Sequence, residues 1–194
     1  GKVGLVGYWD SVAFDEFAGK DKRVDKNLVD IMKNYMANKT FSRGIDSVGA
    51  EASMSFLGNT KRNVAYMMRH SHFFEELPDK YIDSAFLDRL HCYVPGWETS
   101  PMRAELFSDG YGFIVDYLAE GLTNFRDKDF SNLYQNYFEL SSDITTRDRD
   151  GVHKTFSGLM KILYPHQEFQ DEEAREALEL AMECRRRIKT QIIK

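Results

Sequence analysis

The sequence has few cysteines and no long apolar run. Cys92 and Cys184 are its only cysteines, and neither belongs to a CxxC motif. This usage argues against a disulfide framework and predicts a protein of the reducing cytoplasm. No apolar run approaches the ~20 residues that a helix needs to cross a bilayer, and no secretory signal begins at Gly1. We therefore expect a cytoplasmic protein without a membrane partner.

The sequence also lacks an excess of positive charge. Its net charge of −5 argues against a surface that coats nucleic acid as a whole, although a local basic patch remains compatible with it. Hydrophobic residues make up 42% and charged residues 29%, which is the balance of a globular protein rather than a disordered one. The 194 residues suffice for one large domain, or for one domain with a small satellite.

The first half of the sequence mixes strand and helix patterns. We predict a short strand or hairpin at residues 3–8, strands at 12–16, 52–57 and 90–94, and a β-hairpin at 39–50. We also predict a helix at 63–70, a short helix or turn at 83–89, and a helix whose apolar face carries Leu28, Ile31, Met32, Tyr35 and Met36. Strands separated by helices predict a parallel sheet, and functional side chains gather at the carboxyl ends of such strands.

The second half is predicted to be helical. Its composition changes at Pro95-Gly96-Trp97, which marks a domain boundary. The predicted helices carry apolar faces at Phe113, Tyr117, Leu118, Leu122 and Phe125 and at Phe156, Leu159, Met160 and Leu163, and a last helix takes Asp171 as its N-cap. We predict an α/β part at residues 1–98 and an all-helical part at residues 99–194.

The strand Val12-Ala13-Phe14 ends in two adjacent acids, Asp15 and Glu16. This arrangement suits magnesium-dependent phosphoryl transfer, in which one carboxylate holds the metal through its waters and the other orients or deprotonates an attacking water. Acids are also common where a strand passes into a loop, and a motif this short matches by chance. The pair alone leaves both interpretations open.

Two further polar residues lie near the ends of predicted strands. Asn59 follows the strand at 52–57, and its amide could hold the same water; Asn is otherwise a common turn residue. Arg89 precedes the strand at 90–94, and it could neutralise charge on the γ-phosphate of a neighbouring subunit's nucleotide. The alternative for Arg89 is a salt bridge to Asp88 or Asp83.

In this order the elements resemble an AAA+ ATPase module. The hairpin before the Asn59 strand is similar to the hairpin that precedes sensor 1 in minichromosome maintenance helicases. Longer phrases resemble the Lon-related BrxL family of BREX phage-defence proteins. The resembling phrases are Gly4-Leu5-Val6-Gly7 to Asp15-Glu16, Asp83-Ser84-Ala85-Phe86 to Pro95-Gly96-Trp97, Tyr111-Gly112-Phe113-Ile114-Val115-Asp116-Tyr117-Leu118, and Ser157-Gly158-Leu159 to Tyr164-Pro165.

The resemblance implies a role for each matching residue. Asp15 and Glu16 match the Walker B acids, Asn59 matches sensor 1, and Arg89 matches the arginine finger. Sensor 2 is expected at Arg147, with Arg149 and Lys154 as alternatives, although Asp148 and Asp150 could instead pair with these basic residues. The implied cofactors are ATP, contacted by Asp15 and Arg147, and Mg²⁺, held by Asp15.

Two parts that the resemblance implies are absent from the sequence. There is no GxxxxGK[ST] phosphate-binding loop, and no Ser-Lys protease domain. We therefore expect a partial AAA+ core, inactive by itself, whose parallel sheet lacks the phosphate-loop strand between the strands at 52–57 and 90–94. Residues 1–8 are expected to fill that gap as a substitute strand, or a second copy of the chain is expected to pair with the exposed edge.

Two basic groups have weaker signals. Lys39, Ser42 and Arg43 on the hairpin could contact a phosphate backbone inside a ring, or could be solvated. The run Arg185-Arg186-Arg187-Ile188-Lys189 could contact nucleic acid, or could be a solvated helix end favoured by the helix dipole.

The function implied by the resemblance is that of an ATP-hydrolysing ring of identical subunits that acts on DNA in phage defence, with other phage-defence proteins as further partners. Two alternatives remain open. One is an AAA+ motor that remodels proteins or feeds a Lon-type protease, and the other is a non-enzymatic helical interaction domain. A salt-dependent affinity for DNA would distinguish the first of these from the DNA-acting ring.

Overall fold

The computed structural model describes residues 4–43 and 46–193. The chain divides into two compact units, of which the first holds the residues up to Leu90 together with those from Ile188 onward. The second unit holds the residues from His91 to Arg187. The division of the chain into functional parts at residues 1–98 and 99–194 stays a prediction.

The strands lie in the first unit. Its elements are α1 (Leu5–Tyr8), β1 (Ser11–Phe14), α2 (Lys26–Asn38), β2 (Thr40–Arg43), β3 (Asp46–Gly49), β4 (Ser53–Phe56), α3 (Val64–His70), a 3-10 turn (Asp79–Tyr81) and α4 (Ser84–Leu87). Strands β1 and β4 pair in parallel, and β2 and β3 form the predicted antiparallel hairpin. The fold class is mixed α/β with a small parallel sheet, as predicted.

The parallel sheet buries one of its faces. Val12 pairs with Met54, and Phe14 pairs with Phe56, on the buried or half-buried face. The small side chains of the other face are exposed, and they are Ser11, Ala13, Ser53 and Ser55. This alternation is the two-residue period of a strand, and it fixes the register of β1 against β4.

Aromatic rings fill the core beneath the buried face. Phe17, which follows the acidic pair, lies 4.6 Å from Phe56 and 4.5 Å from Tyr81 between ring centroids. Tyr81 lies 5.0 Å from Phe86, and Phe14 stacks on Phe56 at 5.4 Å. Such ring pairs stabilise a core by about 0.5–1.5 kcal/mol each beyond the burial of their area. The carboxyl ends of β1 and β4 are thereby anchored to one cluster.

Helix α2 lies where the helical period predicts it, but it is rotated about its axis. Its buried positions are Val29, Met32 and Tyr35. The side chains of Leu28 and Ile31 are 48% and 45% exposed, so the predicted apolar face was wrong at these two positions. The Tyr35 hydroxyl donates a hydrogen bond of 2.8 Å to the Ala52 carbonyl, which fixes the face that α2 turns inward.

The strand predicted at residues 3–8 was wrong for its described part. Residues Leu5–Tyr8 form α1 instead, and Val3 lies outside the described residues. The Gly7 amide donates to the Gly4 carbonyl and the Trp9 amide donates to the Leu5 carbonyl, both at 3.0 Å. These backbone groups are therefore hydrogen-bonded within the segment rather than to a neighbouring strand. The described part of the expected substitute strand is therefore helical, whereas pairing with a second copy stays a prediction.

The strand predicted at residues 90–94 was also wrong. A strand needs a neighbouring ladder, and β4 pairs only with β1 among the described residues. The Leu90 amide instead donates to the Leu87 carbonyl at 3.1 Å, and the Tyr93 amide donates to the Cys184 carbonyl at 3.3 Å. An apolar run thus satisfies its backbone through a turn and a helix rather than through a sheet.

The second unit is helical, as predicted. It holds α5 (Val115–Asn124), α6 (Thr146–Leu163), most of α7 (Asp171–Ile193) and the 3-10 turns Gly96–Glu98, Ala104–Leu106 and Leu133–Asn136. Its core lies between α6, α7 and the residues just before them, and consists of Phe130, Tyr134, Val152, Phe156, Met160, Ala177, Leu178 and Ala181. No helix among the described residues is long and apolar enough to span a bilayer.

The start of α7 and the surroundings of α5 differ from the predictions. Gln170 rather than Asp171 caps α7, because its amide donates to Glu173 Oε2 at 2.7 Å and its carbonyl accepts from the Ala174 amide at 3.1 Å. Along α5 and before it, the predicted apolar face is largely exposed, with Phe113 at 68% and Tyr117 at 70%.

A buried ion pair joins α6 to α7. Arg185 is 2% exposed, and its Nε and Nη2 atoms lie 2.8 and 2.7 Å from Asp148 Oδ1. Gly151 provides the space, since a Cβ atom there would lie 3.1 Å from Arg185 Cδ. This pair spans the two helices, whereas the alternative that Asp148 and Asp150 pair with their basic neighbours on α6 stays a prediction.

We expect Asp148→Ala to lower the free energy of unfolding by about 3–5 kcal/mol, because it leaves the Arg185 charge buried without its carboxylate. Denaturant unfolding of the full-length protein, followed by a probe in this unit, measures the change. Asp150→Ala is the matched control, since Asp150 is an exposed acid of the same helix, and it should change stability by less than about 0.5 kcal/mol. Equal effects of the two substitutions would contradict a special role of the pair.

Candidate active site

The acidic pair lies in a tight turn directly after β1. Asp15 Oδ1 accepts a hydrogen bond of 2.7 Å from the Glu16 amide. Glu16 has a φ of +49°, in the left-handed region that costs a non-glycine residue about 1–2 kcal/mol. Both side chains are exposed. Residues with such backbone strain concentrate at functional sites. The conformation of Glu16 therefore favours a functional role over that of an ordinary residue after a strand.

Lys22 holds the turn from the opposite side, and the sequence analysis missed it. Its ammonium group donates to the Glu16 carbonyl. Its aliphatic stem lies over Gly19, where a Cβ atom would meet Lys22 Cε at 3.0 Å, and where φ is +141°. The signal in the sequence was a glycine three residues before a lysine in a loop that follows two acids, which is too common to single out Lys22.

The loop after β4 is bound to the loop after β1. The Leu57 amide donates to the Phe14 carbonyl at 2.9 Å, and the Phe17 amide donates to the Leu57 carbonyl at 2.6 Å. These bonds continue the parallel ladder past both strands. Asn59 follows Leu57 by two residues and is exposed. The prediction that Asp15, Glu16 and Asn59 follow neighbouring strands is confirmed, whereas a cleft shared by their side chains stays a prediction.

Gly58 allows the two loops to approach this closely. A Cβ atom at Gly58 would lie 2.8 Å from Ala18 Cβ and 3.0 Å from the Ala18 amide nitrogen. Because the second contact is with backbone, a side chain at this position would push the loops apart. The glycine next to Asn59 is therefore a positioning residue for the acidic turn.

The donor set at this edge fits Mg²⁺ bound together with a substrate. Mg²⁺ in nucleotide sites takes one or two carboxylates and fills its other positions with water and phosphate oxygens. Asp15 and Glu16 supply exposed carboxylates, and Asn59 supplies an amide oxygen. The described residues contain no group of three or more His, Cys, Asp or Glu side chains arranged for a metal. Among the described residues, the arrangement therefore suits a metal that is held partly by water and substrate oxygens rather than by protein ligands alone.

Arg89 follows α4 and is held by it. Its Nη1 atom donates to the Ala85 carbonyl, and its Nε atom is buried without a hydrogen-bond partner. The alternative partner Asp83 is occupied elsewhere, because it accepts from the Phe86 amide at 2.8 Å and lies 3.5 Å from Lys33 Nζ. The role of Arg89 as an arginine finger stays a prediction.

The candidates for sensor 2 lie on α6, in the second unit. Arg147, Arg149 and Lys154 are all exposed. Lys154 Nζ lies 3.5 Å from His91 Nε2, and burial, with the charges of Lys154 and Arg185, lowers the pKa of His91 to about 4. His91 is therefore neutral at pH 7. The choice of Arg147 among the three stays a prediction.

The basic residues of the hairpin are exposed where they are described. Lys39 caps the end of α2 in the left-handed conformation, with φ of +54°. Ser42 lies on β2 opposite Ser47 and is exposed. The side chain of Arg43 lies outside the described residues. Contact between these residues and a phosphate backbone stays a prediction.

The basic run near the end of the chain is not solvated throughout, because Arg185 is buried, whereas contact of the run with nucleic acid stays a prediction. Arg185 is buried against Asp148. Arg187 Nη2 lies 3.1 and 2.9 Å from the two carboxylate oxygens of Glu98, and its Nε atom donates to Glu183 at 2.9 Å. Arg186 is 73% exposed along its side chain and pairs with Glu183. These charges hold the helical unit together.

Comparison of the sequence with known proteins shows the family of this chain. A family model for "Lon-like protease BrxL-like, ATPase domain" matches residues 1–194. The chain belongs to the BrxL-like ATPase-domain family. A protein named Lon-like protease BrxL from Bacillus cereus is 47% identical over 194 residues, and one of the same name from Escherichia coli is 46% identical over 193 residues.

Each match covers the whole of this chain. The matched region makes up only 29% of the Bacillus cereus relative and 28% of the Escherichia coli relative. What the relatives' name describes therefore belongs to much longer proteins. The region matched by the family model contains the acidic turn, Asn59 and Arg89. The family resemblance from which the roles of these residues were predicted is therefore confirmed.

We expect Gly58→Ala to destabilise the first unit by about 1–3 kcal/mol, the usual cost of forcing extra atoms into a packed site. Gly49→Ala is the matched control, because a Cβ atom there would meet nothing within 4 Å, and it should change stability by less than about 0.5 kcal/mol. Denaturant unfolding of both variants measures the difference. A Gly58→Ala protein as stable as the control would show that the two loops do not need their close approach.

Proposed function

We propose that this chain is the acidic-turn and helical part of an ATP-hydrolysing AAA+ protein that forms a ring and acts on DNA in phage defence. The observation that carries the proposal is the strained Glu16 turn at the end of β1, hydrogen-bonded to the loop that leads from β4 to Asn59. The match to the BrxL-like ATPase-domain family supports nucleotide use in general. The proposal goes beyond this family match in three respects, which are ring formation, action on DNA and a role in phage defence.

In the proposed reaction Glu16 takes a proton from the attacking water, and the Asn59 amide orients that water. Asp15 would hold Mg²⁺ through water ligands, and the bound metal supplies neutralisation of the phosphate charge. Asp15 already accepts the Glu16 amide hydrogen, so the position of one acid restrains that of the other. The two carboxylates thereby take different roles although they are adjacent in sequence.

Arg89 and Arg147 would complete the site. In a ring, Arg89 would stabilise charge on the nucleotide of the neighbouring subunit, and Arg147 would contact the nucleotide of its own. The buried Nε donor of Arg89 has no acceptor in this structure, and an unpaired buried donor is unfavourable. Movement of Arg89 toward a bound phosphate would satisfy that donor.

The phosphates themselves would be bound largely by other residues. The sequence contains no GxxxxGK[ST], and a nest of backbone amides with a lysine normally holds the β- and γ-phosphates. Tests of hydrolysis therefore need the full-length protein. Protease chemistry is not proposed for these residues.

We expect Glu16→Gln in the full-length protein to reduce the ATP turnover number by about 100-fold or more, because it removes the group that accepts the proton of water while keeping its shape. Steady-state phosphate release measures turnover, and binding of a fluorescent ATP analogue should be retained. Glu168→Gln is the control, since Glu168 is an exposed acid in the loop before α7. Equal turnover numbers in the wild type and in Glu16→Gln would contradict the proposed role of Glu16 as the catalytic base.

The proposed contact with DNA rests on the hairpin. Lys39 and Ser42 present exposed polar groups on β2 and just before it. A hairpin that grips a polypeptide, as in a protein-remodelling motor, would act mainly through apolar and backbone contacts. The two functions differ in salt dependence, because each phosphate contact releases condensed cations.

We expect the full-length protein to bind double-stranded DNA with an affinity that falls steeply as salt rises. Lys39→Ala should weaken binding and reduce the slope of log K against log salt by about one unit for each lost phosphate contact. The control is Lys80→Ala, an exposed lysine away from the hairpin. Fluorescence anisotropy across a salt series measures both. An unchanged slope in Lys39→Ala would favour the protein-remodelling alternative.

A further inference from the structure

The two cysteines, 92 residues apart in sequence, lie side by side in the helical unit. The Tyr93 amide donates to the Cys184 carbonyl at 3.3 Å, which brings the segment around Cys92 against α7. Each thiol is close enough to the other to shift its pKa. Cys92 is exposed and Cys184 is buried. An exposed thiol therefore stands next to a shielded one.

The surroundings of the pair favour one thiolate. The hydrogen bond from Cys92, together with the nearby Arg187 guanidinium, lowers the pKa of Cys184 to about 7, although burial and the Glu183 carboxylate oppose this. The hydrogen bond with Cys184 and burial raise the pKa of Cys92. Arg187 is itself fixed by Glu98 and Glu183. The thiolate is therefore favoured at Cys184, and the protonated thiol is favoured at Cys92.

We propose that Cys92 and Cys184 form a modification site at which a small hydroperoxide converts the two thiols into an intramolecular disulfide. The Tyr93–Cys184 hydrogen bond already holds the two cysteine-bearing segments together. None of the residues proposed for hydrolysis takes part in it. The inference therefore stands or falls independently of the proposed ATPase function.

The reaction balances with one hydrogen peroxide. The Cys184 thiolate attacks a peroxide oxygen, so that an S–O bond forms, the O–O bond breaks, and hydroxide leaves. The hydroxide takes the Cys92 proton and becomes water. The Cys92 thiolate then attacks the sulfenic sulfur, an S–S bond forms, and the oxygen leaves as a second water after taking up a proton. Each sulfur loses one electron, and the peroxide gains both.

The disulfide would join the segment that follows Leu90 covalently to α7. Cysteine pairs of this kind in a reducing cytoplasm are transient and sense oxidants rather than staple a fold. Cross-linking residues so distant in sequence restricts the unfolded chain, so the oxidised protein should have the higher midpoint of thermal unfolding. Reduction by a dithiol should restore the original midpoint.

We expect stoichiometric hydrogen peroxide to cross-link the Cys92 and Cys184 peptides of the full-length protein. The measurement is mass spectrometry after alkylation of free thiols under denaturing conditions, with and without dithiothreitol. A cross-linked peptide pair that is two hydrogens lighter than the reduced peptides, and that dithiothreitol separates, supports the site. Recovery of both peptides alkylated, or of either as a sulfinic acid without cross-link, would overturn the proposal.

Single substitutions separate a reactive pair from two independent thiols. In Cys92→Ser, Cys184 should stop at the sulfenic acid and be trapped by dimedone, because the resolving thiol is gone. In Cys184→Ser, the protein should consume peroxide about tenfold more slowly than the wild type, because the thiol with the lowered pKa, which attacks the peroxide, is gone. Both variants should melt within a few degrees of the reduced wild type. Equal rates of peroxide consumption in the wild type and in Cys184→Ser would refute the role of Cys184 as the attacking thiol.

Discussion

The candidate active site depends on the placement of one aromatic side chain. Phe17 lies between Phe56 and Tyr81, and its amide donates to the Leu57 carbonyl. Because Phe17 directly follows Glu16, the core fixes the exit of the acidic turn while β1 fixes its entry. The exposed carboxylates are thus positioned by buried residues on both sides. The same ring cluster anchors the end of β4, so the loop that carries Asn59 is held relative to the acids.

Patterns within short segments predicted the elements that need no distant partner. The apolar alternation in β1 and β4, the hairpin and the helical periods of α2, α6 and α7 were all found close to their predicted positions. Residues 90–94 have a strand-like composition but no strand beside them, so their backbone bonds to a turn and to α7. The composition of a segment gives it a preference for the strand conformation. Whether a strand forms depends on whether a neighbouring strand is there to accept its backbone hydrogen bonds. For α2 the period was right, but the Tyr35–Ala52 bond chose the face.

Charged residues were the least predictable because their partners are distant in sequence. Asp148 pairs with Arg185, which is 37 positions away, whereas the sequence suggested only its basic neighbours on α6 as partners. A basic run at a helix end favours solvated or nucleic-acid-bound side chains by composition alone. Tertiary structure instead buries Arg185 and pairs Arg187 with Glu98. At the acidic turn, by contrast, sequence order sufficed, since adjacent residues after one strand must lie at one end of it.

The strain at Glu16 is offset by the contacts that follow it. A left-handed non-glycine residue costs about 1–2 kcal/mol. The two ring contacts of Phe17 contribute about 0.5–1.5 kcal/mol each beyond burial, and its amide bond to Leu57 contributes a further ~0.5–1.5 kcal/mol. Packing after the turn therefore outweighs the backbone preference within it. A glycine at this position would relieve the strain but would carry no carboxylate. The conformation of the acid is thus set by the core before any ligand binds, which is the arrangement that a catalytic base requires.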